Sequence, residues 1–303
     1  MQTYLDCIPC FFKQALEASR LAGADIKMQR QILIEVAEVL PEFPLEASPP
    51  EMGRIIYGLI KRHTGQEDPY LKIKEKSNQF ALSIYDQIIH RVKQSHDRLL
   101  TAVKLAIMGN IIDYGVKNTL DVDEELKKIL SSDQKLTKNE DGRLFQYENF
   151  KEALSKAQTV LYLADNAGET VFDRVLLEEI KEMDHDIEMI YAVKEKPIIN
   201  DALEKDAFDC GIDRFARIMS SGSDAPGTLL SLCSAHFLDV YQMADMVISK
   251  GQGNFECLSD TKRPVFFLLL AKCPVIAGDL KCRVGDAILL NKNRREELKE
   301  DAN

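Results

Sequence analysis

Thr159-Val160-Leu161-Tyr162-Leu163-Ala164-Asp165-Asn166-Ala167-Gly168-Glu169-Thr170 carries two different patterns on either side of a glycine. It opens with a short apolar run, β-branched and aromatic, of strand rather than helix length. Past the glycine, Val171, Val175, Leu176 and Ile180 recur at helical spacing. A strand therefore delivers Asp165 and Asn166 to a turn from which a helix departs. In open α/β sheets ligands sit at such strand ends, and amides at a helix start favour anions such as phosphate. Adjacent Asp and Asn also offer hard oxygens to a divalent cation. The same residue types cap helices, so this stretch alone leaves both possibilities open.

Downstream, strand-like runs at residues 187–193, 215–219, 246–249 and 265–270 alternate with helical segments. That alternation predicts βαβ units and a parallel sheet covered by helices. Upstream there is only helix. Phe11, Phe12, Ala15 and Leu16 mark an apolar face closed by Gly23, and Met28, Ile32, Leu33, Val36 and Leu40 repeat it before Pro41. Pro49 and Pro50 open a helix through Met52, Ile55, Ile56, Leu59 and Ile60 that ends near Gly65. Periodic segments at residues 71–95 and 97–113 complete an array of packed helices, and residues 133–146 are polar and without period. The expected fold class is α/β: an all-helical domain over 1–150, then a domain with a mostly parallel sheet over 151–303.

The 303-residue chain is 45% hydrophobic and 29% charged, an ordinary globular composition. A net charge of −10 argues against nucleic acid and against anionic lipid as partners. An acidic protein still binds phosphate where a metal supplies the positive charge. No apolar run approaches the ~18 residues of a membrane span. Seven cysteines, an odd number without a dense framework, suit a reducing, cytoplasmic setting.

Polar clusters follow several of the strand-like runs. Asp201, in Asn200-Asp201, is placed to complete an oxygen-rich metal site with Asp165 and Asn166, or else to be an exposed helix-start residue. In Lys250-Gly251-Gln252-Gly253-Asn254-Phe255-Glu256 the glycines let backbone approach a ligand closely, and Lys250 is a cation for phosphate. This is neither the nucleotide P-loop nor the dinucleotide fingerprint. Residues 220–228, small and polar, lend hydroxyls to the same edge or form a plain loop; Lys272 faces that edge or solvent. Asn110 and Asp113 share a helix face. Cys7-Ile8-Pro9-Cys10 has the spacing of half a zinc site or a redox pair, yet falls on an apolar helix start where free cysteines are commonly buried. The histidines are scattered, and no G-x-S-x-G elbow occurs.

Taken together, Cys7-x-x-Cys10 with Gln14-Ala15, Gly109-Asn110-x-x-Asp113, Asp165-Asn166-Ala167-Gly168-Glu169, Asn200-Asp201, Lys250-Gly251-x-Gly253-Asn254 and Lys272-Cys273 resemble the metal-dependent damage-control phosphatases. The resemblance covers nearly the whole chain, and the cysteine pair is similar to that of the prokaryotic and archaeal branch. It implies a Rossmann-like α/β/α domain beside a helical one, and a phosphatase of small phosphorylated metabolites. It implies Asp165, Asn166 and Asp201 as metal ligands and catalytic residues. Substrate contacts are implied at Glu169, Gln252, Gly253, Asn254, Phe255, Glu256 and Lys272, beside Lys250 from the phosphate argument above. The eukaryotic sugar-phosphate branch carries Arg where this chain has Glu256.

The expected chemistry is hydrolysis of a phosphomonoester with bound Mn²⁺, Co²⁺, Ni²⁺ or Mg²⁺, ions matched to oxygen ligands. Lys250, Lys272 and amides near Gly251 and Gly253 would offset charge on the phosphoryl oxygens. Asp165 is either a ligand or the nucleophile of an aspartyl-phosphate. The alternatives are an S-adenosylmethionine-dependent methyltransferase, disfavoured by the missing G-x-G turn, and a non-catalytic protein that binds a phosphorylated ligand.

Overall fold

The computed structural model describes residues 1–109 and 143–292. Asn110, Asp113 and most of the polar segment at 133–146 lie outside the described residues. The first half is helical: α1 (Cys7–Leu21), α2 (Ile26–Val39), α3 (Pro49–Thr64), α4 (Leu71–Ser83), α5 (Tyr85–Lys93) and α6 (Arg98–Met108). The proline pair starts α3, where Ser48 and Glu51 close a reciprocal capping box. The periodic segment 71–95 is two helices, parted at Ile84, whose buried side chain joins the core below. Asp97 caps α6 by accepting from the Leu100 amide at 2.9 Å.

A short helix, α7 (Tyr147–Leu154), leads into β1 (Thr159–Leu163), α8 (Glu169–Met183), β2 (Glu188–Val193), α9 (Glu204–Asp209) and β3 (Arg217–Ser220). Then come α10 (Ala235–Met243), β4 (Met246–Lys250), α11 (Gln252–Leu258), β5 (Phe266–Leu270), α12 (Pro274–Leu280) and β6 (Ala287–Asn291). The sheet order is β3-β2-β1-β4-β5-β6, parallel except for antiparallel β6. The expected mostly parallel sheet is therefore present, with one strand, β6, that sequence periodicity did not mark. The third run starts later than expected, at Arg217, because Phe215 ends a 3₁₀ turn over Ile212–Arg214.

Strand side chains alternate between two helical layers. Val160, Tyr162, Met189, Tyr191, Met246 and Ile248 share a core with α4, α5, α6, α7 and α8. Leu161, Leu163, Ile190, Ala192 and Val247 face α10, α11 and α12. Helices α1–α3 have a separate core, entered by Ile198 from the loop after β2. The strand order reverses between β1 and β4, which opens a crevice at the carboxyl ends of these strands. Among the described residues no helix is long and apolar enough to cross a membrane.

Candidate active site

The loops leaving β1 and β2 are stitched together at that crevice. Ala202 N donates to Asp165 O at 2.9 Å and Ala167 N to Asn200 O at 2.9 Å. Asn166 and Asp201 thereby face each other as an isolated antiparallel bridge. Two backbone hydrogen bonds bring Asp165, Asn166 and Asp201 to one rim, and all three are buried.

None of the three is a helix cap. α8 has Gly168 at its N-cap, and the Gly168 amide donates to Asn78 Oδ1 of α4 at 2.6 Å. A Cβ at Gly168 would come within 2.9 Å of Ser77 Cβ, so α4 seats directly on the turn. Asn78 Nδ2 in turn donates to Asp206 Oδ1 at 2.8 Å. Asp201 precedes α9, whose start is closed by Asp206 accepting from Leu203 N at 3.0 Å. Capping thus comes from Asn78 and Asp206, which leaves the rim carboxylates for other work.

Asn166 Nδ2 donates to Asp165 Oδ2 at 3.0 Å and to Glu169 Oε1 at 2.8 Å. With the amide hydrogens on carboxylates, its acceptor oxygen is the atom left for a cation. Burial, then the neighbouring Glu169 and Asp201, hold the Asp165 carboxyl well above the usual carboxylate range. Burial raises Asp201 to about 6 against the opposing pull of Lys194. Asp201 Oδ2 is buried without a hydrogen bond, and Lys194 Nζ stands off at 3.6 Å. Around the rim four buried carboxylates, Asp165, Glu169, Asp173 and Asp201, stand against two buried ammoniums, Lys194 and Lys250. Lys74, paired with Asp68 and Asp206, and exposed Lys272 add positive charge from further out, and the carboxylates still outnumber the ammoniums. Oxygen donors, an orphaned carboxylate oxygen and uncompensated negative charge all fit a hard divalent cation. Among the described residues no three His, Cys, Asp and Glu side chains form a metal-holding group, and the trio here includes an amide.

The opposite side of the rim is formed after β4 and β5. Lys250 is fully buried and donates to Asp173 Oδ1 at 2.7 Å and Glu169 Oε2 at 3.2 Å. Burial works against its charge, but Asp173 and Glu169 outweigh this and raise its pKa. Asn254 is consumed inside the protein: it donates to Ala164 O at 2.9 Å and Lys250 O at 2.8 Å, and accepts from Thr228 Oγ1 at 2.7 Å. Phe255 packs edge-on against Phe267 in the core. The Gly251 amide continues the sheet by donating to Leu268 O at 3.0 Å, so it does not point at a ligand. Gln252, Gly253 and Glu256 stay half-buried at the rim, and Lys272 is exposed. Gln252 links them, donating to Glu256 Oε1 at 2.8 Å and accepting from Lys272 N at 3.2 Å. Lys272 also acts electrostatically on Asp165, Glu169 and Glu256.

Cys7 is half-buried and packs against the core of α1–α3, whereas Cys10 is exposed. Burial raises the Cys7 thiol, with smaller contributions from Glu256, Cys273 and Cys10. Asn78, Asp173 and Lys194 escaped the sequence reasoning. Lys194 alone left a signal, since it follows β2 much as Lys250 ends β4.

The damage-control phosphatase ARMT1-like domain matches residues 3–288. The chain is 35% identical over 297 residues to a damage-control phosphatase of Pyrococcus horikoshii, covering 97% of this chain and 99% of that protein. It is 32% identical over 288 residues to a damage-control phosphatase of Archaeoglobus fulgidus, covering 93% and 96%. A crystal structure of a DUF89 family protein from Pyrococcus horikoshii shares the fold with a TM-score of 0.85 at 33% identity, over 96% of this chain and 99% of that one. This chain belongs to the damage-control phosphatase ARMT1-like family.

Proposed function

We propose that the protein is a metal-dependent phosphatase that hydrolyses phosphomonoesters of small metabolites such as sugar phosphates. The names of the Pyrococcus and Archaeoglobus relatives support the reaction class. The observation that carries the site is the Asn166–Asp201 bridge, which gathers oxygen donors where buried negative charge is in surplus. In this account Asp165, Asn166 and Asp201 hold Mn²⁺, Co²⁺, Ni²⁺ or Mg²⁺. The chemistry such an ion would supply, once held there, is polarisation of a phosphoryl group and a lowered pKa for an attacking water. Asp165 Oδ2 is already fixed by the Asn166 amide, which suits a ligand better than a moving nucleophile. Lys272 offsets charge on the phosphoryl oxygens. Gln252 and Glu256 face the rest of the substrate, while Lys250, Asn254 and Phe255 hold the floor beneath. The free, exposed thiol of Cys10 suits a cytoplasmic setting.

Phosphate release from a metabolite panel, run with each of the four metals, tests this proposal. Metal-stimulated release by the wild type and its loss in Asp165→Ala are expected; equal release by both proteins would refute the site.

A further inference from the structure

We propose that Asp173 is a positioning residue for the metal site. Held by the hydroxyls of Tyr162 and Tyr191, it fixes Lys250 and through it Glu169, and so turns the Asn166 amide with its oxygen toward the cation. This rests on the metal-site assignment proposed above.

Tyr162 and Tyr191 are register partners on β1 and β2, so both side chains emerge on the α8 face. Their rings stack with centroids 5.3 Å apart and 23° between planes. Tyr162 Oη donates to Asp173 Oδ1 at 2.7 Å, and Tyr191 Oη donates to Asp173 Oδ2 at 2.8 Å. Asp173 lies one helical turn beyond Glu169 on α8, and Lys250 Nζ spans the two carboxylates. Glu169 passes the constraint on through its other oxygen, Oε1, which accepts from Asn166 Nδ2.

All members of this chain are buried, and each tyrosine and lysine donor has a carboxylate acceptor. Packing alone does not call for it, because apolar side chains of similar volume often stabilise a core as well as or better than a buried ion pair. A saturated polar network instead fixes orientation. An amide has two faces that differ little in shape but oppositely in polarity. With Glu169 held as an acceptor beside Asn166, only one of the two amide orientations is favourable. Outer groups of this kind typically change metal affinity by ~10–100-fold when removed.

Calorimetric titration of the full chain with MnCl₂, without substrate, tests the inference. Asp173→Asn is expected to weaken Mn²⁺ binding by about 10–100-fold. The Tyr162→Phe/Tyr191→Phe double variant keeps ring packing and removes both anchors; it should shift affinity in the same direction and carries the test if Asp173→Asn does not fold. In an Asn166→Ala background, the charge-conserving Tyr162→Phe/Tyr191→Phe double variant should add no further loss, because the effect passes through Asn166. An additive loss would overturn the proposal and leave Asp173 a structural role only. Weakened binding in Asn166→Ala, with wild-type affinity in Asp173→Asn and in the double Phe variant, would also overturn it while sparing the metal site. Wild-type affinity in Asn166→Ala itself would refute the metal site, and this inference with it.

Discussion

The two sides of the rim use opposite chemistry. After β1 and β2 the chain presents buried acceptors in surplus, and the Lys194 ammonium stays 3.6 Å from Asp201. After β4 and β5 it presents half-buried polar groups and the exposed Lys272, with the buried donors of Lys250 and Asn254 already committed. In the proposed reading one side takes a cation and the other meets an anion at an open edge. A phosphoester with its metal is a ligand whose charges separate in the same sense. The sides meet at Gly251, where a Cβ would fall 1.9 Å from Asp165 Oδ2.

Asp165→Ala should remove the cation side outright. Loss of several kcal/mol of charge stabilisation corresponds to roughly a thousandfold drop in metal-stimulated kcat, and wild-type turnover in a phosphate-release assay would break the contrast. Gly251→Ala attacks the seam: its φ of +79 and its contact with Asp165 oppose any side chain. Displacing Asp165 by about an ångström is expected to lower kcat/KM on the order of a hundredfold, with weaker Mn²⁺ binding as the companion readout. Lys272→Ala touches the anion side alone. It should raise KM for a phosphomonoester by about 10–100-fold without weakening Mn²⁺ binding by the free protein, because the lost positive charge acts on Asp165 and Glu169; weaker Mn²⁺ binding with KM unchanged would place Lys272 on the wrong side.

The smallest effect concerns stability. Burial raises the Glu256 carboxyl to about 7, above its unfolded value. The folded protein then keeps a proton that the unfolded chain sheds, so stability present at low pH is lost as pH rises from the unfolded pKa through about 7. Glu256→Gln, neutral throughout, should gain on the wild type by on the order of 2 kcal/mol between about pH 5 and about pH 8. Parallel denaturation curves at the two pH values would argue against this burial.

Much of the fold was legible because its signals are local. The period change at Gly168, the proline pair opening α3 and Asp97 before α6 each mark an element from within a few residues. β6 escaped because an antiparallel edge strand needs no crossover helix to announce it. At the site, Asp165, Asn166 and Asp201 were legible as strand-end acceptors. Which cations were already spoken for was not. Lys250 reads as a phosphate contact until Asp173 and Glu169 appear on either side of it. Asn78 caps Gly168 from a helix ninety residues earlier, a contact no spacing rule reaches.

The central claim is that oxygens of Asp165, Asn166 and Asp201 share one divalent ion. Anomalous diffraction from crystals soaked in MnCl₂ tests it most directly. A single strong peak is expected with an oxygen of each of these residues at about 2.0–2.6 Å. No peak there, or a peak at Cys7, Cys10 and Cys273 instead, would contradict it.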